Sequence, residues 1–313
     1  MIHPSKLVAH RGFQAKYPEN TALSLIKAIE AGALFIELDV QFSGDQLPII
    51  YHDSDLQRVS GQSGSVLSLS RAELLGCSAY EPQRLGDSFI AEKISPLETL
   101  VDILVAHPQV SAFVELKEES IAHCGRALMI ASVQEILRPV AQQTVLMSFD
   151  YPLAIAAREA GWPRVGLVLQ SWDDLDQADV ALAQPDYIYT NHTNIPGDCY
   201  LTSIPILSHA LLVTYEVGNQ ELGQKLLARH VDIELSQLLL VVKAAELLGW
   251  VTSPGGRVAM TTEGRQFLAA DINTRKQLLN AVSEPPVFRH PIGLKPAMFA
   301  DNWMVDCIGA SCG

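Results

Sequence analysis

Short apolar and β-branched runs recur through the first 235 residues, and the stretches between them carry helical periodicity. The runs are LVAH (7–10), FIELDVQF (35–42), AFVELK (112–117), VLMSFD (145–150), RVGLVL (164–169), YIYTN (187–191), LLVTYEV (211–217) and VDIEL (231–235). Each reads as a strand. Within 21–31, Ala22, Leu25, Ile26 and Ile29 fall on one helical stripe. Leu97, Leu100, Ile103 and Leu104 form another, with Ser95 suited to the cap and Pro96 to the first helical position. Similar patterns occupy 125–137, 152–160, 173–183 and 219–229. Eight strands alternating with helices predict an α/β fold, a (β/α)8 TIM barrel. A doubly wound sheet fits the alternation nearly as well, and the strand count favours the barrel.

Two stretches break the repeat. Residues 54–94 carry turn residues and short segments, which predicts an insertion after the second strand. Residues 236–313 form a small, mostly helical C-terminal extension: a helix-like run (QLLLVVKAAELLGW), a turn with a candidate hairpin (TSPGGRVAMT), another helix (EGRQFLAADINTRKQLLNAV) and a Pro-rich end. The expected domains are therefore 1–235 and 236–313.

Charge narrows the partners. The chain of 313 residues carries a formal charge of −13. Nucleic acids and anionic membranes need basic patches, so neither is an expected partner. The acidity is confined to residues 1–235, at −14, whereas 236–313 carries +1. The five cysteines are scattered and odd in number, which excludes a disulfide framework or zinc cluster and suggests a reducing compartment. MIHPSKLVAHRG has no apolar segment of a secretory signal, and runs such as LLLVV (238–242) fall far short of the roughly 20 residues that span a bilayer. The expectation is a cytoplasmic protein with no transmembrane segment.

The chemistry-bearing residues concentrate in the first 53 positions. His10-Arg11-Gly12 ends the first strand, Pro18-Glu19-Asn20-Thr21 opens the first helix, and His52-Asp53 ends LPIIYHD. Glu37 and Asp39 lie two apart on a strand, so both carboxylates face one side. In an apolar strand such a pair is unfavourable unless a cation neutralises it, and oxygen ligands suit Mg²⁺ or Ca²⁺. Glu115 supplies a third carboxylate from FVELK, with Lys117 two residues on, at strand ends where such barrels keep their active sites. His10 and His52 are candidates for a general acid/base pair. Singly, each feature has a plain structural explanation: an ion pair for Arg11, a helix start for Pro18 to Thr21, a solvated carboxylate for Glu37 or Asp39. Their ordered co-occurrence is what points to a site.

HRG, PENT, the ELD of FIELDVQ and YHD, in this order, resemble the glycerophosphodiester phosphodiesterase family. The resemblance continues through Arg58, Gly61, Gly64, KISPLETL (93–100) and FVELK, and covers about 6–235. It implies a (β/α)8 barrel with an insertion at about 53–94, and cleavage of small-molecule glycerophosphodiesters to glycerol 3-phosphate and an alcohol with a divalent cation. By position, His10 and His52 match the family's acid/base histidines, and Glu37, Asp39 and Glu115 its metal ligands. Arg11 and Lys117 match positions near the phosphate, and Glu19 a motif acid that would orient Arg11 or His10. VTYEVGN departs from the pattern, with Tyr215 where tryptophan is common; a tyrosine there can stack on a glycerol or head group. Two alternatives accompany this reading: a phospholipase D-like lyase acting on lysophospholipids, and a non-catalytic phosphodiester-binding protein.

SQLLLVVKAAELLGW and MTTEGRQFLAADINTRKQLL, about 234–282, are similar to the winged-helix-like C-terminal domain that follows the ATPase in nitrate/sulfonate-type ABC transporters. No GxxxxGK[ST] stretch occurs, so the ATPase itself is absent. The alternative is that 236–249 is the barrel's last helix. The tail's partner is not legible.

Overall fold

The computed structural model of the chain describes residues 7–197, 201, 204–217, 221–223, 242–243, 245–247, 249–253, 258–270, 274 and 303–307. It divides into two compact units, Pro4–Gly218 with Asp301–Gly313, and Asn219–Ala300 with Met1–His3.

The first unit is built on strands β1 (Leu7–Ala9), β2 (Phe35–Phe42), β3 (Pro48–Ile50), β4 (Ser95–Pro96), β5 (Ser111–Leu116), β6 (Thr144–Ser148), β7 (Val165–Val168), β8 (Tyr187–Asn191) and β9 (Leu211–Val217). β1, β2, β5, β6, β7, β8 and β9 pair in that order and all in parallel. The seven correspond to seven of the eight expected strands. VDIEL, the expected eighth, lies outside the described residues. Between β9 and β1 the sheet is closed by a last strand at Trp303–Cys307, antiparallel to both. The sequence reading placed no strand there, because the segment follows a Pro-rich stretch with no alternating pattern to mark it.

Strand β2 shows how the barrel is filled. Ile36, Leu38, Val40 and Phe42 are fully buried, and so are the alternate residues Glu37, Asp39 and Gln41. A strand alternates faces, so one face is apolar and the other polar, yet water reaches neither. One apolar cluster joins Val8, Phe113, Val145, Met147, Val168, Tyr187, Tyr189 and Val213, with Phe35 and Tyr215 against it. Phe113 is its centre, with ring centroids 5.0 Å from Tyr187 and 5.3 Å from Tyr189. Burying such a ring contributes about 1.5–3 kcal/mol. Gly166 makes room for the Tyr189 ring: a Cβ there would lie 2.8 Å from Tyr189 Cε2.

Helices cover the outside. Ala22–Glu30 starts with a capping box between Thr21 and Ser24, which satisfies two otherwise orphaned N–H groups. It buries Leu25, Ala28 and Ile29. Arg126–Leu137 and Tyr151–Glu159 fall where periodicity predicts them. The expected helix at 173–183 is split into a 3-10 turn, Trp172–Asp176, and Ala178–Ala183. The expected cap at Ser95 is corrected. Ser95–Pro96 is instead the edge strand β4 against β3, and the helix begins at Glu98. Proline lacks an N–H to donate, so an edge strand tolerates it as readily as a helix start does.

The insertion has its own apolar centre, formed by Ile49, Tyr51, Leu56, Val59, Val66, Leu74, Ala79 and Ile94. Its helices are short: Gln57–Ser60, Arg71–Gly76 and Pro82–Leu85.

In the second unit, Val251–Thr252 and Ala259–Met260 pair as the expected hairpin, and Thr261 caps the helix Thr262–Ala269. Trp250 stacks on Phe267 with centroids 3.8 Å apart. Most of the expected helix 236–249 and the end of the expected second helix lie outside the described residues.

Candidate active site

The site begins where β1 ends. The chain turns there through Arg11 (φ 52°) and Gly12 (φ 78°). A Cβ on residue 12 would come within 2.6 Å of the Ser24 carbonyl carbon, so only glycine fits. The left-handed backbone at Arg11 costs about 1–2 kcal/mol. In return it aims the Arg11 N–H at Glu37 Oε2, 2.8 Å away. The guanidinium reaches Glu19 Oε1 at 3.0 Å through Nη1 and lies 3.2 Å from Asp39 Oδ2 through Nε. Asn20, also left-handed (φ 55°), donates from Nδ2 to Asp39 Oδ2 at 2.8 Å and accepts the Asp39 N–H at 3.0 Å. The helix-opening motif is thus folded back onto the second strand.

Glu37, Asp39 and Glu115 are 1%, 1% and 9% exposed. Each can offer one oxygen such that the three lie within 4.8 Å of one another. Glu37 Oε1 is buried without a hydrogen-bond partner. An orphaned carboxylate oxygen is costly unless something positive reaches it. Burial, with Asp39 and Glu115 alongside, pushes Glu37 well above the ordinary carboxylate range. Glu115 is raised by burial and by Asp39. Asp39 goes the other way, to about 2; burial opposes this, and Arg11, His52, Lys117 and Asn20 outweigh it. Lys117 donates to Glu115 Oε1 at 2.7 Å and lies 3.7 Å from Asp39.

The linked network holds six carboxylates, Glu19, Glu37, Asp39, Asp53, Glu81 and Glu115, against four cations, Arg11, Arg58, Arg84 and Lys117. Fully ionised, it lacks two positive charges. The donor set, its burial and its charge all fit a hard divalent cation.

Two histidines flank the carboxylates. His52 Nδ1 is 2.6 Å from Asp53 Oδ1, and its Nε2 is 3.4 Å from Lys117 Nζ. A carboxylate only accepts, so Asp53 takes the Nδ1 hydrogen and leaves Nε2 to the cavity. His10 Nδ1 is 2.8 Å from Gln14 Nε2, and its Nε2 is 3.9 Å from Glu37 Oε2. Burial and the neighbouring Arg11 lower His10 to about 3, so its ring is neutral near pH 7.

A cavity of about 160 Å³ opens over these groups, lined by His10, Arg11, Glu37, His52, Glu115 and Lys117 together with Met147, Phe149, Val168, Tyr189, Tyr215 and Glu216. The lining combines charged groups with apolar and aromatic ones, which suits a ligand with an anionic centre and a small carbon skeleton.

Every residue proposed from sequence is drawn into this one region. Glu19 contacts Arg11 and Arg58 rather than His10, and Tyr215 is among the residues that line the cavity. Sequence reasoning did not assign roles to Asn20 and Asp53, although both sit inside the quoted motifs PENT and YHD. Arg58 was seen only as part of the resemblance. Gln14 and Glu81 gave no signal: Glu81 accepts the Glu19 N–H at 2.8 Å across 62 residues of sequence.

A family model described as the glycerophosphoryl diester phosphodiesterase family matches residues 10–210. A second, the C-terminal AAA-associated domain, matches 226–290. For the tail, that broader domain replaces the transporter likeness as what is found. The chain is 33% identical over 197 residues to the Bacillus subtilis (strain 168) protein YqiK, covering 62% of this chain and 78% of that one. It is 27% identical over 239 residues to a glycerophosphodiester phosphodiesterase of Bacillus altitudinis, covering 73% and 92%. Its fold is similar to that of an Oleispira antarctica phosphodiesterase solved in complex with the product sn-glycerol-3-phosphate, with TM-score 0.61, 24% identity and coverage of 71% and 89%. Among the described residues no helix is long and apolar enough to cross a membrane.

Proposed function

The chain belongs to the glycerophosphoryl diester phosphodiesterase family, and from that premise we propose that it hydrolyses glycerophosphodiesters to glycerol 3-phosphate and an alcohol at the cavity over Glu37, Asp39 and Glu115. The observation that carries the site assignment is the convergence of two histidines and the buried Glu37 and Glu115 on one cavity, with Asp39 buried beside those carboxylates.

Glu37, Asp39 and Glu115 would hold the divalent cation, Mg²⁺ or Ca²⁺, through carboxylate oxygens. When bound, the ion offsets the charge that develops on the non-bridging phosphate oxygens. Arg11 and Lys117 add fixed positive charge to the lining of the cavity. Both are held by the metal-binding carboxylates, so they need little reorganisation when an anion arrives. His10 and His52 act as the acid/base pair, one removing the nucleophile's proton and the other delivering a proton to the departing alkoxide. Asp53 fixes the His52 ring and its tautomer, and Gln14 fixes His10. Tyr215 and Phe149 exclude water from the carbon skeleton of the glycerol or head group. Cytoplasmic action is proposed on the grounds that Cys77 and Cys124 are free thiols. Residues about 234–282 are proposed to form a small module of the kind that follows the ATPase in nitrate/sulfonate-type ABC transporters.

Incubation with glycerophosphocholine and a divalent cation tests the reading. Glycerol 3-phosphate should accumulate and EDTA should stop it. Release of a cyclic phosphate from lysophosphatidylcholine alone would favour the lyase. Binding with no turnover of either substrate would favour a sensor.

A further inference from the structure

The insertion sends one side chain toward the site without lining its cavity. Arg58 lies in the short helix Gln57–Ser60, whose neighbour Val59 is anchored in the insertion's apolar centre. Its guanidinium forks onto two carboxylates at once. Nε and Nη2 donate to Asp53 Oδ2 and Oδ1, each at 2.8 Å. Nη1 and Nη2 donate to Glu19 Oε2 and Oε1 at 2.9 and 2.7 Å. Each carboxylate then passes the constraint inward. Asp53 Oδ1 is 2.6 Å from His52 Nδ1, and Glu19 Oε1 accepts from Arg11 Nη1 at 3.0 Å.

We propose that Arg58 is a positioning residue that sets two groups of the site together: His52 through Asp53, and Arg11 through Glu19. The inference rests on the roles given to His52 and Arg11 above. A planar guanidinium matches two carboxylates bidentately, so it fixes their orientation as well as their charge. A lysine would place the same charge without the fork. Without Arg58, Asp53 keeps its bond to His52 but loses the partner that holds its own plane, and Glu19 is left with Arg11 alone as a basic partner close by. Arg58 takes no part in the strand pairing that places Glu37, Asp39 and Glu115, which is why the loss should fall on turnover rather than on folding.

The test uses the full chain with glycerophosphocholine as substrate, comparing wild type, Arg58→Lys, Arg58→Ala and His52→Ala. Misplacing a reacting group by about 1 Å can cost about 100-fold. Arg58→Ala and Arg58→Lys should each lower kcat by about 10–100-fold with KM changed less than about threefold. Millimolar guanidinium should restore part of the Arg58→Ala loss saturably and leave His52→Ala unchanged. A purely structural ion pair would lower the melting temperature without a kcat loss that guanidinium repairs. Wild-type kcat in Arg58→Lys or Arg58→Ala, with His52→Ala inactive, overturns this inference alone. Wild-type activity in His52→Ala overturns the His52 assignment and this inference with it. Should Arg58→Ala fail to fold, the folded Arg58→Lys protein decides the question by its kcat.

Discussion

Asp39 and Glu115 stand directly opposite each other on adjacent parallel strands, in register across β2 and β5. Like charges in that position destabilise a sheet. Arg11 and Lys117 offset part of the repulsion, and the orphaned Glu37 oxygen shows that the compensation is incomplete. The barrel has therefore accepted a local cost at the position where a cation would remove it.

That cost predicts a metal-linked stability. Saturating Mg²⁺ or Ca²⁺, at about 100 times its dissociation constant, should stabilise the fold by about 2.7 kcal/mol. For a unit of this size that is a rise of roughly 5–10 °C in melting temperature. Asp39→Asn should abolish the rise and also lower the stability of the metal-free protein at pH 7, because Arg11, Lys117 and Asn20 hold the charged carboxylate in the folded state. Differential scanning calorimetry with and without EDTA checks it; a metal-induced shift that persists in Asp39→Asn would refute the ligand assignment.

The two histidines should be required for turnover and dispensable for folding. His10→Ala and His52→Ala should each lower kcat by at least about 100-fold, with circular dichroism unchanged. Near-normal turnover in either folded variant would remove that residue from the mechanism.

Asp53 supplies a pH signature. Burial raises its carboxyl, but hydrogen bonds from His52 and Arg58 outweigh burial and hold it well below the usual carboxylate range. A group depressed in the folded state stabilises fully above its unfolded value of about 3.9, and loses that contribution as pH falls through the folded value. Wild type should therefore exceed Asp53→Asn in stability at pH 7, and the gap should narrow steadily below about pH 4. Urea unfolding of both proteins across this range reads it directly; a gap independent of pH would show that the charge of Asp53 contributes nothing.

Gly166 tests the filling of the barrel. A methyl group there meets the Tyr189 ring at 2.8 Å and Met147 Cβ at 3.1 Å. Overpacking of this kind costs about 1–3 kcal/mol. Gly166→Ala should lower the melting temperature without changing metal affinity, measured by calorimetric titration. An unchanged melting temperature would mean that the ring moves aside freely.

Much of this was legible in the order of residues. Period-2 spacing placed Glu37 and Asp39 on one face, and the structure keeps both there, buried. Seven strands appear where apolar runs predicted them, because a strand covered on both sides leaves a compositional mark. Ser95 and Pro96 misled, since the same pair suits a helix start and a sheet edge, and only the presence of β3 alongside decides between them.

The sequence by itself determined seven parallel strands, the motif residues and the presence of like charges on one strand face, because those follow from local periodicity. The tertiary structure alone decided that Asp39 meets Glu115, that Glu19 holds Arg58 as well as Arg11 and not His10, and that Glu81 closes on the Glu19 amide. Those contacts span 76, 39, 8 and 62 residues of chain. Local spacing carries no information about which distant carboxylate a guanidinium will reach; strand register and the burial of charge settle that only once the barrel has formed.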